Sequence, residues 1–506
     1  MSLTVSRRTF VAGAAALSAL GLRGARARTP GILTFGLSSY PPNLKPWANT
    51  GTSAGTVKLM IFRGLLSYDG NGALRPELAE SFSQDGATAW IFKLRAATFH
   101  NGEPVTSADA KWTLEQVAAE KSTAYFRAEM QGIDKIETPD EKTLRVVMKQ
   151  PTATLPQWVA NYNMPIIWRK SEPNKPIGAG PFVLKAQERG VSIDVEAFAK
   201  YYKPGLPKLK SIRAIAYADE NLRVAALQAG DVDLIEYVPW QSMEAISTDP
   251  QLKLDATDGP FMYLVFNATR PPFNDVRVRQ AIAHAVKREE IVKAAFFGRG
   301  SPLAHLPIAN ASEFFNPQLA NSWRYDPELA KKLLAEAGYA SGFSCNFLST
   351  AQYGMHKDSA EVVQQNLAEV GVKTELSLPD WATRIARGNK GHYDLAMMGT
   401  ATDSNDPDGL ANVIDGSLSP SLNRSFGLAV ATITELLAAG RAEFALAKRK
   451  AIYLAMEAIA IAEVPIVGLC WRSQGYAMRN DVAGFKNLPG ALTFYSGLTL
   501  EEVTTG

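Results

Sequence analysis

The chain has 506 residues, 46% of them apolar and 20% charged, with 53 Lys and Arg against 50 Asp and Glu and only two cysteines. That length exceeds the roughly 250–300 residues at which one hydrophobic core stops growing, so at least two lobes are expected and a small disulfide-stapled scaffold is excluded. Ordinary globular composition without any run of five like charges excludes a disordered charged tail, and no nucleic-acid partner is expected.

The first element is a targeting segment. Ser6-Arg7-Arg8-Thr9-Phe10 precedes an apolar run from Val11 to Leu22 and the small-x-small site Ala25-Arg26-Ala27. This is the pattern of a cleaved export signal over residues 1–27, and the paired arginines resemble the twin-arginine type. Twelve helical residues rise only about 18 Å, short of a hydrocarbon core of roughly 30 Å, which argues against an anchor. Cleavage removes four arginines and no acid, leaving 49 basic against 50 acidic residues, so the basic excess belongs to the signal.

Ile32–Leu37 alternates as a strand and runs into the Pro-rich loop Ser38-Ser39-Tyr40-Pro41-Pro42-Asn43. Residues 59–182 read as an α+β insert: Trp90, Phe92 and Leu94 alternate with charges, Thr106 and Asp109 form a capping box opening a helix, and Thr143–Met148 is a strand. A strand and helix follow between Ile212 and Leu234, then an aromatic strand Phe261–Phe266. Asn274 or Asp275 caps a long helix, and Asp326-Pro327 starts the next, with Gly338 just past its end.

From Phe343 to Met398 the order is strand, amphipathic helix (359–370), strand, helix (380–388), strand (393–398). Such a βαβαβ succession builds a parallel sheet, and ligands collect outside the carboxyl ends of its strands. Here that edge is the loop from Gly399 to Asp408, which includes Thr400, Asp403, Asn405 and Asp406. Two helices over about 428–463 and a strand Pro465–Trp471 follow.

Asp403, Asp406 and Asp408 are candidates for holding a cation or ammonium group, while Asp406-Pro407 equally suits a helix start. Trp381 and Trp471 lie where they stack on a ligand or pack in the core. Gly51-Thr52-Ser53-Ala54-Gly55 matches a nucleophile elbow, but no strand precedes it. No phosphate loop, dinucleotide fingerprint or histidine pair at metal-ligand spacing occurs, so neither an enzyme nor a cofactor or metal is expected. Cys345 and Cys470 are expected to be two buried thiols, with a bridge as the alternative.

A set of segments in fixed order resembles the extracytoplasmic solute-binding proteins that include dipeptide-, oligopeptide- and nickel-binding members. They are Phe62-Arg63-Gly64-Leu65-Leu66, Arg75-Pro76-Glu77-Leu78-Ala79-Glu80-Ser81, residues 98–106, Gly178–Phe182, residues 272–282, residues 325–339 and Asp403–Pro407. The resemblance implies a periplasmic α/β protein with two lobes joined by two crossing segments near 256–262 and 470–477, and an extra α+β subdomain in the first lobe. The first lobe would comprise 28–58, 183–258 and 473–506, the insert 59–182 and the second lobe 259–472. It further implies a monomer that captures a peptide or other amine-bearing solute and delivers it to ABC transporter permease subunits, touching the membrane only through them. An exported hydrolase, or a binding protein feeding a membrane sensor, is the alternative. In peptide binders an Asp at the position of Asp403 pairs with the peptide amine, and a Trp stands where this chain has Thr400. The expected ligand-binding set is Tyr40, Trp381, Thr400, Asp403, Asn405, Trp471 and Arg472, with Asp403 on a positive group, Tyr40, Trp381 and Trp471 as walls, and Arg472 on an anion.

Overall fold

A computed structural model describes residues 29–310 and 312–506; the expected export signal lies outside them. Among the described residues no helix is long and apolar enough to cross a membrane. The main feature is an 11-stranded sheet. In its first-lobe half, Ile32–Leu37 pairs in parallel with Ser211–Ala216 and Leu234–Ile235, and Ser192–Ala197 and Phe182–Glu188 extend it antiparallel. In the other half, Phe343–Leu348 lies between Val372–Ser377 and Leu395–Thr400, parallel to both. The stretch that reads as βαβαβ thus forms a parallel sheet, with helices Gly354–Glu369 and Trp381–Gly388 as its crossovers.

Two long strands carry the sheet from one half to the other. Leu252–Phe266 (15 residues) and Val467–Arg479 (13 residues) run antiparallel along each other. The sequence reading sees only the apolar second half of the first, Phe261–Phe266, and only the apolar first half of the second. The remaining halves carry Lys253, Asp255, Thr257, Ser473 and Gln474, whose polarity hides the strands' continuation. Their register shifts between Asp258 and Phe261, at Gly259-Pro260. Pro260 cannot donate to the ladder, which favours a bulge here. Gly259 lies so close to the C-terminal segment that a Cβ on it would sit 1.9 Å from the Gly490 carbonyl oxygen.

The insert is a four-stranded antiparallel sheet ordered Ala79–Asp85, Ala89–Leu94, Thr143–Met148, Ile133–Asp140. Helix Ser107–Ala118 packs on it, started by the Thr106/Asp109 capping box. Phe92, Leu114, Leu144 and Val146 are fully buried in its core, each burial favouring the fold by about 1.5–3 kcal/mol. That core also takes Leu488, Leu492, Tyr495 and Leu498, so the C-terminal segment packs against the insert as well as the first lobe. Separate clusters form the first-lobe core (Leu33, Phe35, Ile193, Ile212) and the core of the other half, and the latter extends along the sheet to Leu227 and Ile246.

Several of the ordered sequence segments meet where the insert joins the first lobe. Arg63 Nη2 pairs with Glu501 at 2.8 Å and Arg63 Nε faces Glu77 at 3.4 Å, while Lys203 Nζ reaches Glu77 and Glu501 at 2.7 and 2.6 Å. Burial alone would raise the Glu77 carboxyl, but Lys203, Arg63 and Arg75 outweigh it and hold the group well below the usual range. His100 donates its backbone N–H to Gly178 O at 2.9 Å, and a Cβ on Gly180 would sit 2.4 Å from the carbonyl carbon of Ile61. These segments therefore fix the insert to the lobe.

Candidate functional site

A cavity of about 470 Å³ opens at the carboxyl end of strand Leu395–Thr400, between the lobes. Asn49, Thr52, Tyr125, Tyr162, Tyr237 and Tyr495 line it from one side. Tyr353, His356, Trp381, Thr400, Asp403 and Asn412 line it from the other, and Arg472 enters from the second crossing strand. Asp403 and Arg472 are the only Asp, Glu, Lys or Arg side chains in this lining. A second cavity of about 360 Å³ shares Asp403, Gly409 and Asn412 with the first and is lined by Glu129, Asp408 and Arg441.

The three loop acids have different partners. Asp406 caps the 3-10 turn Pro407–Leu410 and forms a bidentate pair with Arg449 at 2.8 and 3.0 Å. Asp408 is held by Arg441 at 2.8 Å. Among the described residues Asp403 has no cationic partner; both its oxygens accept from Tyr125 Oη, at 2.9 and 3.0 Å. Asn412 Nδ2 donates to that phenol at 3.3 Å, and Tyr495 Oη donates to the Asp403 backbone carbonyl at 3.0 Å. Burial pushes the Asp403 carboxyl up to about 6, against the Tyr125 hydrogen bond, which pulls it down. A carboxylate in this state gains from a cationic or strongly donating partner.

The lobes meet around this site. Tyr125, from the insert, reaches Asp403. Ala491 N donates to Asn405 Oδ1 at 3.0 Å and Asn405 Nδ2 to Pro489 O at 3.3 Å. Ala153 N donates to Arg441 O at 2.7 Å, and the rings of Trp90 and Phe444 lie 6.0 Å apart. These contacts bridge the two sides of the cavity.

Of the residues singled out in the sequence, Trp381, Thr400, Asp403 and Arg472 come together in the large cavity. Trp381 opens helix Trp381–Gly388, capped by Asp380, and stands edge-on to Tyr353 at 5.2 Å and His356 at 5.7 Å. Asn405 and Trp471 line a small adjoining crevice instead, Trp471 packing edge-on against Phe261 at 5.7 Å. Tyr40 is not in the cavity lining and packs on the first-lobe core. The reason is local: Ser38 N and Oγ donate to the buried Glu236, and Ser39 N donates to Ser53 Oγ, which folds the loop back. Ser53, at the centre of the elbow-like motif, is itself a donor to Glu236 in the first turn of helix Thr52–Ile61.

The sequence reading misses the tyrosines, His356 and Arg384. Arg384 is 0% exposed, with its guanidinium 4.7 Å from the Trp381 ring centroid. A buried arginine on a short amphipathic helix is a signal that periodicity offers, since Arg384 falls one turn after Asp380. The tyrosines carry none, because they come from five separated segments. Cys345 and Cys470 are buried free thiols, not a bridge.

Residues 73–419 match the family of bacterial extracellular solute-binding proteins, family 5. The glutathione-binding protein GsiB of Pectobacterium atrosepticum is 29% identical over 397 residues, 76% of each chain. GsiB of Escherichia coli O1:K1 is 30% identical over 356 residues, 68% of each. Among solved structures, the PBP AgaA from A. tumefaciens R10 in complex with agropinic acid is 41% identical, with a TM-score of 0.86 over 94% of this chain and 99% of that one. The peptide-bound DppA of Helicobacter pylori shares the fold, with a TM-score of 0.81 over 94% of this chain and 98% of that one, at 21% identity. The chain belongs to family 5 of the bacterial extracellular solute-binding proteins.

Proposed function

We propose that the protein closes its lobes on a small solute whose N–H or O–H donors, an ammonium above all, meet Asp403, and that it hands this solute to the permease subunits of an ABC importer. The observation that carries this is Asp403 itself: it lacks the arginine that each neighbouring acid has, and faces the cavity at the junction of the lobes. Relatives that bind glutathione or agropinic acid support a small solute. Thr400 offers a short hydroxyl-bearing wall beside Asp403, which suits a polar solute better than an extended peptide. Closure needs a hinge, a role that suits the paired crossing strands with their bulge at Gly259. On this reading the first lobe comprises 28–58, 183–258 and 473–506, the insert 59–182 and the second lobe 259–472, with the crossing strands Leu252–Phe266 and Val467–Arg479 between them. The role places the mature monomer outside the cytoplasm, exported by residues 1–27. No catalytic step, cofactor or metal is assigned.

The test is mass spectrometry of solute released from the purified protein by denaturation, followed by calorimetric titration of the refolded chain. Asp403→Ala is expected to weaken binding at least tenfold, about 1.4 kcal/mol. Equal binding by the variant would remove Asp403 from the site.

A further inference from the structure

The cavity of about 360 Å³ lies beside the solute cavity, with the insert on one side and the loop that follows strand Leu395–Thr400 on the other. That volume is in the range of small-molecule sites, about 300–1,000 Å³. Three side chains of the insert bring to its wall polar atoms that are buried and make no hydrogen bond among the described residues: Glu129 Oε2, Thr154 Oγ1 and Gln157 Oε1. Thr154 is 1% exposed and stands at the N-cap of helix Leu155–Val159, yet its hydroxyl does not cap that helix. All three atoms can accept a hydrogen bond, and each costs free energy while it lacks a donor.

The charged groups around them do not supply that donor. Asp408 holds Arg441 at 2.8 Å, Asp406 holds Arg449 at 2.8 Å, and Lys149 Nζ is turned out to Gln131 O at 2.9 Å. Asp415 accepts from Ser417 and Thr434. Glu129 is left with no ion pair among the described residues, although Arg441 acts on it through space. Burial raises the Glu129 carboxyl, its own backbone N–H and Arg441 pull it down, and Asp403 and Asp408 push it further up. A carboxyl group so placed gains most from a cation that carries its own N–H donors. The rest of the insert's wall is apolar: Phe126 and Met148 are buried, and the half-buried ring of Trp158 already takes the Arg441 guanidinium at 5.9 Å from its centroid. Aromatic faces suit a cation and its hydrocarbon alike.

We infer that this cavity is a second binding site, separate from that of the solute, and that it takes a small primary amine with an apolar body. The ammonium meets Glu129, Thr154 and Gln157, and the body lies against Trp158, Phe126 and Met148. An ammonium has three N–H donors and no acceptor, which matches three acceptors without a donor. A carboxylate on the same ligand would face Asp403 and Asp408, so amino acids and peptides fall outside the class. The occupant touches the insert and the 403–412 loop at once, and so favours the arrangement in which they meet. None of this rests on the solute-binding role proposed above.

The test titrates the full mature chain calorimetrically with phenethylamine and with 2-phenylethanol, which keeps the ring and lacks the charge. The amine is expected to bind at least about tenfold more tightly, about 1.4 kcal/mol. Glu129→Gln should bring the amine close to the alcohol and leave the alcohol unchanged. Equal binding of amine and alcohol by the wild-type protein, or no binding of the amine, overturns the site whether or not the variant folds. Asp403 also attracts an amine, so crystals soaked with 4-bromophenethylamine locate it, and the anomalous peak of bromine is expected beside Trp158. A peak only beside Trp381 overturns the second site and keeps the solute-binding reading. A peak beside Trp158 without calorimetric binding, which is binding at crystal concentration only, overturns the site as well. 4-Bromophenylalanine should give no peak beside Trp158, and a peak there overturns the restriction to amines without a carboxylate.

Discussion

Asn in place of Asp403 separates the cost of the empty site from its use. The wild-type carboxyl titrates at about 6 instead of 3.8, because the cavity wall denies it water. A rise of about two units corresponds to about 3 kcal/mol at 1.36 kcal/mol per unit, and water admitted to the open cavity screens this to about 1–2 kcal/mol. A raised folded-state pKa means the native protein binds the proton more tightly than the unfolded chain. Stability therefore falls as pH rises from about 3.8 to about 6 and levels off above. Asp403→Asn keeps an oxygen to accept from Tyr125 and never ionises. The solute-free variant should therefore be more stable than wild type by about 1–2 kcal/mol near pH 8, about 1–2 °C in Tm for a chain of this length. Most of the difference should be gone by about pH 4. Differential scanning calorimetry of the stripped proteins across that range reads it, and the variant should also bind solute more weakly. A variant less stable than wild type near pH 8, or an offset independent of pH, would refute the electrostatic reasoning.

Other substitutions probe the hinge and the insert. Gly259→Ala places a Cβ where the Gly490 carbonyl lies; it should leave far-ultraviolet circular dichroism unchanged and weaken solute binding at least tenfold by calorimetry, and unchanged affinity would mean the hinge does not seat there. Arg63→Met leaves Glu77 and Glu501 with fewer cations and should cost about 3–5 kcal/mol in urea denaturation; a loss below about 1 kcal/mol would show the network to be dispensable. Because the cations hold Glu77 well below its ordinary range, its stabilising contribution is present above the ordinary carboxylate range and is lost progressively as pH falls from that range towards the group's own, much lower, folded-state value. In wild type that loss should be visible as acid unfolding that Glu77→Gln makes shallower. Burial pushes both Cys345 and Cys470 up to about 12; a thiol reagent near pH 8 should label neither in the native protein and both in denaturant, and a total below two would indicate a bridge.

The parallel half-sheet was legible because its strands are short, apolar and separated by capped amphipathic helices such as the one Asp380 starts. The crossing strands were half hidden, since a strand leaving one core for another passes through a polar stretch. At the site, Asp403 stood out through its place at a strand's carboxyl edge. The sequence already set Asp406 apart as a helix start, but it could not show that Asp406 and Asp408 are neutralised, because Arg441 and Arg449 arrive from helices more than thirty residues away. The tyrosine wall was illegible for the same reason: Tyr125 meets Asp403 across a separation of 278 residues. Tyr40 misled because its loop follows a strand as ligand loops do, while the buried Glu236 that folds it back lies 198 residues from Ser38.

Small-angle X-ray scattering tests capture by closure most directly, using the stripped mature protein before and after addition of the solute released from it. The radius of gyration should fall on addition for wild type and stay at the open value for Asp403→Ala. A wild-type profile that is the same with and without solute, at concentrations where calorimetry shows binding, would contradict closure of the lobes around Asp403.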